Sequence, residues 1–100
     1  MIMQKRLLNI KNILRTKIPK LSKEYNIKTM EIFGSYGRDE QTPSSDIDLL
    51  VTFSVTPSLL KFIALENYLT DLLNIKVDLV IKSSLKPRLS KRILSEVVQI

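Results

Sequence analysis

Ile32-Phe33-Gly34-Ser35, ten further residues, and then Asp46-Ile47-Asp48-Leu49-Leu50-Val51-Thr52-Phe53 carry the organisation of this chain. The first segment closes a run, Lys28 to Phe33, in which Met30 and Ile32 alternate with Glu31 and Phe33. Alternation of this kind predicts a strand with two different faces. Gly34 ends it. Ile47 to Phe53 is a second apolar, β-branched run and predicts a second strand. Between them, Ser35 to Glu40 is polar enough to open a short helix, and Gln41 to Ser45, with Pro43, reads as a loop. Two carboxylates, Asp46 and Asp48, stand where the second strand starts. Residues two apart in a strand point to one face, roughly 6.5 Å apart along it.

Working outward, the N-terminal side is helical. Leu7, Ile10 and Leu14 recur at helical spacing between Met3 and Ile18, and Pro19 predicts a break or kink near the end, with a second short helical turn from Lys20 to Tyr25. On the C-terminal side, Ser58 is a good N-cap for a long amphipathic helix carrying Leu59, Phe62, Leu65, Leu69 and Leu72. Lys76 to Ile81 predicts a third strand. Pro87 suits the first turn of a last helix that turns Leu89, Ile93, Leu94 and Val97 inward. The order helix, strand, short helix, strand, helix, strand, helix predicts an α/β (α+β) fold, a small mixed sheet of about three strands with packed helices. Strand order and direction are not legible from this pattern.

Composition narrows the chemistry. The 100 residues suit one domain, residues 1–100, with one core and one site. A domain of this size buries roughly 65% of the surface its unfolded chain exposes, which leaves little room for a separate pocket for a bulky acceptor. There is no cysteine, which excludes a disulfide framework and a thiol nucleophile, and no histidine, which excludes imidazole acid–base catalysis and imidazole metal ligation. Any catalysis rests on carboxylates, hydroxyls, Lys and Arg, and any metal is an oxygen-preferring ion such as magnesium or manganese. No secretory signal is visible, and the most apolar stretch, Leu59 to Leu73, is interrupted by Lys61, Glu66 and Asp71, so no membrane span is expected and the cytoplasm is the expected location. The net charge is +6 and the first acidic residue is Glu24. The basic opening segment reads first as the solvated face of an amphipathic helix. An acidic protein partner, or direct nucleic-acid binding, is the less favoured reading.

Three carboxylates stand out by position. Asp46 and Asp48 on one strand face repel unless a divalent cation lies between them. Asp78 sits between Val77 and Leu79, where a charge is costly unless it is paired or ligates a metal. Each also fits a solvated strand face. Upstream, Gly34 lets the backbone approach a ligand closely. The first N–H groups of a helix opening after it favour phosphate. The Ser35 hydroxyl adds a donor and Arg38 a charged fork. Taken singly, Gly34-Ser35 also fits an ordinary turn, and Arg38 an ion pair with Asp39 or Glu40.

Taken together, Gly34-Ser35, ten residues and Asp46-Ile47-Asp48 form a Gly-Ser-x10-Asp-x-Asp signature. The stretches Ile32 to Arg38 and Ser45 to Val51 resemble the nucleotidyltransferase superfamily that includes DNA polymerase beta, and within it the minimal nucleotidyltransferases. Val77-Asp78-Leu79-Val80 matches the place of that family's third carboxylate. Asp39 departs from the pattern, since many relatives have glycine after the arginine, and it adds a negative charge near the phosphate site.

The resemblance implies a polymerase-beta-like nucleotidyltransferase fold and a two-metal mechanism. Asp46, Asp48 and Asp78 would be the catalytic and metal-binding residues, holding two magnesium (or manganese) ions, with ATP as substrate. Gly34, Ser35 and Arg38 would be the nucleotide-binding residues that hold the leaving phosphates. The resemblance further implies an antitoxin that transfers AMP to a tyrosine of a partner HEPN-domain RNase toxin and so neutralises it. Two alternatives stand beside it: an antitoxin that works by binding alone, and nucleotidyl transfer to a small-molecule hydroxyl.

Overall fold

The apolar spacing of the first segment continues past Pro19. Ile10, Leu14 and Leu21 are all buried in one cluster, so residues on both sides of the proline are held by the same core. The computed structural model describes residues 2–34 and 46–100. In it α1 runs unbroken over Ile2–Tyr25 with Pro19 inside it. The expected break does not occur, because burial of Leu14 and Leu21 offsets the roughly 3 kcal/mol that an interior proline costs a helix. Asn26, with φ of 59°, turns the chain out of the helix, and its carbonyl accepts from the Ser54 backbone N–H at 2.8 Å.

Three strands follow the predicted runs: β1 Ile27–Phe33, β2 Ile47–Phe53 and β3 Val77–Ile81. Helix α2, Leu59–Leu73, lies between β2 and β3; Ser58 caps it, accepting from the Lys61 N–H at 3.3 Å, and Asn74 ends it in the left-handed conformation. A three-residue 3-10 turn, Lys82–Ser84, leads to helix α3, Pro87–Glu96. A fourth strand, β4, Val98–Gln99, adds to the three expected. Its two residues are too few to show a period. The sheet order is β3-β2-β1-β4, with β2 and β3 parallel and the other pairs antiparallel.

Alternation in the strands sorts the two faces. Met30, Ile32, Ile47, Leu49, Val51, Val77 and Leu79 form one core with Leu14 and Leu21 of α1 and Leu65, Leu69 and Leu73 of α2. Leu59, expected on the apolar face of α2, is 73% exposed. Leu89 and Leu94, expected inward on α3, are also exposed, and Val97 lies just past that helix. The opposite sheet face carries Phe33, Asp48 and Asp78 in one row and Glu31, Leu50 and Val80 in the next. Among the described residues no helix is long and apolar enough to cross a membrane.

β3 lies at the sheet edge, where backbone N–H groups lack a strand partner. Side chains of α2 supply the acceptors. The Leu79 N–H donates to Glu66 Oε2 at 2.9 Å and the Val77 N–H donates to Thr70 Oγ1 at 3.0 Å. These two bonds flank Asp78 and fix the strand that carries it. Glu66→Ala is expected to lower unfolding free energy by about 1–3 kcal/mol, because it strands a part-buried donor. Glu66→Gln, which retains an acceptor oxygen, is expected to recover most of that loss. Urea titration of the three proteins checks both.

Candidate active site

Asp48 and Asp78 are register partners on the parallel strands β2 and β3. Strands lie about 4.8 Å apart, so the two carboxylates leave neighbouring points on the same sheet face. Both residues are partly buried. Two like charges placed side by side destabilise a sheet unless a cation or a donor network compensates them. Their flanking residues Ile47, Leu49, Val77 and Leu79 are buried on the other face, so neither strand can rotate its acid away without losing the core.

Asp46 stands one residue before β2. Its Oδ2 lies 4.0 Å from Lys76 Nζ, with both side chains well exposed. Lys76 also accepts the Ile47 N–H through its carbonyl at 2.9 Å, which ties the start of β2 to the start of β3. An exposed pair at this distance holds weakly, worth about 0–1 kcal/mol. Among the described residues, no three acidic groups are gathered closely enough to enclose a metal ion. The structure thus aligns Asp48 with Asp78 and leaves Asp46 at the mouth of the same pair of strands.

Gly34 sits against Asp48. Its φ is +72°, and a β-carbon built on it would fall 2.1 Å from Asp48 Oδ2. In β1, Phe33 is the register neighbour of Asp48, so Gly34 is the point at which the chain leaves β1 beside that carboxylate. The absence of a side chain lets the backbone pass within reach of Asp48. Ser35 and Arg38, the other expected nucleotide-binding residues, lie outside the described residues, as do the expected short helix from Ser35 and the Gln41 to Ser45 loop.

One charged residue on this face was not singled out from the sequence. Glu31 is 6% exposed, and its carboxylate accepts from Gln99 Nε2 at 2.9 Å and lies 3.8 Å from Lys82 Nζ. It joins β1 to β4 and to the turn after β3. A glutamate between Met30 and Ile32 was the available signal, but its partners are distant in sequence. Replacing Glu31 with alanine is expected to cost about 1–3 kcal/mol, since it leaves the Gln99 amide and Lys82 without their acceptor; thermal unfolding of the variant checks this.

The donor set of the Asp48/Asp78 pair, anionic oxygen only, suits a hard divalent cation. The glycine-lined approach suits a phosphate-bearing ligand. A family model described as "Nucleotidyltransferase domain" matches residues 9–100. The chain belongs to the nucleotidyltransferase family. Within it the similarity runs to the minimal nucleotidyltransferases. This nucleotidyltransferase is 52% identical over 92 residues to a Methanocaldococcus jannaschii protein whose assigned name, protein adenylyltransferase, is provisional; the match covers 91% of this chain and 94% of the relative. It is 47% identical over 91 residues to the protein adenylyltransferase MntA of Thermococcus cleftensis, covering 91% and 92% of the two chains. Among solved structures, it matches a chain of a toxin–antitoxin complex with AMP-PNP at a TM-score of 0.70 and 29% identity, covering 84% of this chain and 69% of that one. It also matches a chain of the tri-AMPylated Shewanella oneidensis HEPN toxin in complex with MNT antitoxin, at a TM-score of 0.61 and 26% identity, covering 97% and 70%.

Proposed function

We propose that this nucleotidyltransferase is an antitoxin-type protein adenylyltransferase. In this reading it transfers AMP from ATP to a tyrosine hydroxyl of a partner HEPN-domain RNase toxin, in the cytoplasm, and neutralises it. The observation that carries the reading is the register of Asp48 with Asp78 beside Gly34, in a chain whose relatives are named for adenylyl transfer and whose structural neighbours include an AMPylated HEPN toxin.

Asp48 and Asp78, with Asp46 ahead of the strand, would hold two magnesium ions, and manganese suits the same oxygen donors. Bound there, such ions neutralise triphosphate charge and lower the pKa of the acceptor hydroxyl. The residues of the chain do the rest. Gly34, Ser35 and Arg38 hold the phosphates that leave, the first by backbone approach and the others by donor groups. Asp78, the register partner of Asp48, would accept the proton of the tyrosine hydroxyl. The phenolic oxygen forms a bond to the α-phosphorus as the bond from that phosphorus to the bridging oxygen breaks, and pyrophosphate departs in line. Such transfer asks for positioning and charge compensation more than for covalent participation, so a sheet with two in-register acids suffices.

The test is the intact mass of a HEPN-domain protein co-expressed with the wild-type chain or with an Asp46→Asn, Asp48→Asn variant. One or more added AMP units with the wild type alone is the expected result. An unmodified partner that stays bound to the wild type would replace this reading with neutralisation by binding.

A further inference from the structure

We propose that the exposed face of α3 docks an acidic, apolar surface of the acceptor protein. The inference takes from the reading above only that the acceptor is a protein. Around the helix axis, Arg88, Lys91 and Arg92 fall on one side and Leu89, Ile93 and Leu94 on the adjoining side. Leu89 is 49% and Leu94 39% exposed, and none of these three apolar residues joins the core cluster. The three basic side chains are exposed as well. The one acid of the helix, Glu96, is taken up by Arg92, with Nε 3.9 Å from Oε1. An apolar stripe left wet beside a basic margin is complementary to an apolar surface with an acidic margin. A second copy of this chain does not supply one, because α3 against α3 sets basic against basic in a chain that already carries a net charge of +6. Val55, Leu59 and Leu60 are exposed as well, but between Ser54 and Lys61 only Lys61 carries a charge, which specifies no partner.

The position of α3 gives the surface its use. The helix takes the chain from the far end of β3 to β4, where Val98 is in register with Ile32. Val97 therefore reaches the sheet at the level of Phe33, the register neighbour of Asp48. That is two strand spacings, about 10 Å, from Asp48, and a third spacing from Asp78. In this proposal a protein seated on α3 would bring a side-chain hydroxyl toward the acids.

The test is calorimetric titration of the HEPN-domain protein used in the mass experiment into the wild type, an Arg88→Glu, Lys91→Glu pair, a Leu89→Ala, Leu94→Ala pair and Asp48→Asn, each at low and high salt. Both α3 pairs are expected to bind at least about tenfold more weakly, and the charge pair to lose most of the salt dependence. Asp48→Asn is expected to bind like the wild type. Normal binding without any transfer by the wild type would therefore end the adenylyltransferase reading and leave this surface standing. The proposal is overturned if both pairs bind like the wild type, if the wild type forms no complex, or if the substitutions abolish only binding to phosphatidylserine vesicles or to a short RNA. Circular dichroism confirms that the helix persists, and alanine at the two leucines favours it.

Discussion

Asp48→Asn is expected to reduce AMP transfer by at least about 10³-fold, equivalent to about 4 kcal/mol of transition-state stabilisation, while leaving the fold in place. Asparagine keeps the shape of the side chain and one oxygen. It removes a negative charge that lies beside Asp78 across a single strand spacing. The near-isosteric change should leave the melting temperature of the variant close to that of the wild type. Magnesium should then separate the two proteins. A cation bound between in-register acids stabilises the native state by mass action, so the wild type melts higher as magnesium is added and the variant responds much less. Intact mass of the acceptor, together with thermal unfolding with and without magnesium, measures all three effects. A variant that transfers normally would remove Asp48 from the reaction. One that melts far below the wild type would make the carboxylate a structural group and leave the loss of transfer uninformative.

How much of this site could be read beforehand follows from what each signal encodes. The runs Lys28 to Phe33, Ile47 to Phe53 and Lys76 to Ile81 match β1, β2 and β3 to within a residue, because one face of each strand is buried and alternation records that. The Ser58 cap was legible for a similar reason, since its hydroxyl acts within its own turn. The register that sets Asp48 beside Asp78 was not legible. It depends on parallel pairing between strands joined through α2, and parallel pairing leaves no local mark on either strand. The Glu31, Gln99 and Lys82 cluster was hidden by the same sequence separation. The inward expectation for Leu89 and Leu94 failed differently. Helical spacing tells which residues share a face, and says nothing about whether another element arrives to cover it. Pro19 shows the reverse case, in which a local breaker is overridden by core contacts on either side of it.

Gly34→Ala is expected to damage both stability and transfer, and it is the sharper probe of how β1 meets the acid pair. Alanine in the left-handed region costs about 1–2 kcal/mol. Its β-carbon would also meet Asp48 Oδ2 at 2.1 Å, Cγ at 3.0 Å and Cβ at 3.3 Å. Overpacking of that kind adds about 1–3 kcal/mol, so the melting temperature should fall by at least about 10 °C. The cheapest relief is rotation of the Asp48 carboxylate away from Gly34, which takes it out of its native position beside Asp78, so the folded fraction of the variant should transfer AMP poorly. The two contributions separate in a double-mutant cycle. In an Asp48→Ala background the two nearest atoms are gone and only the backbone strain and the 3.3 Å contact remain. Gly34→Ala should then cost no more than about 2 kcal/mol, and the coupling between the two positions measures how closely the backbone is pressed against the carboxylate. An equal cost in both backgrounds would assign the glycine to backbone conformation alone. Loss of the cost in the Asp48→Ala background would show that the glycine is there to make room for the acid.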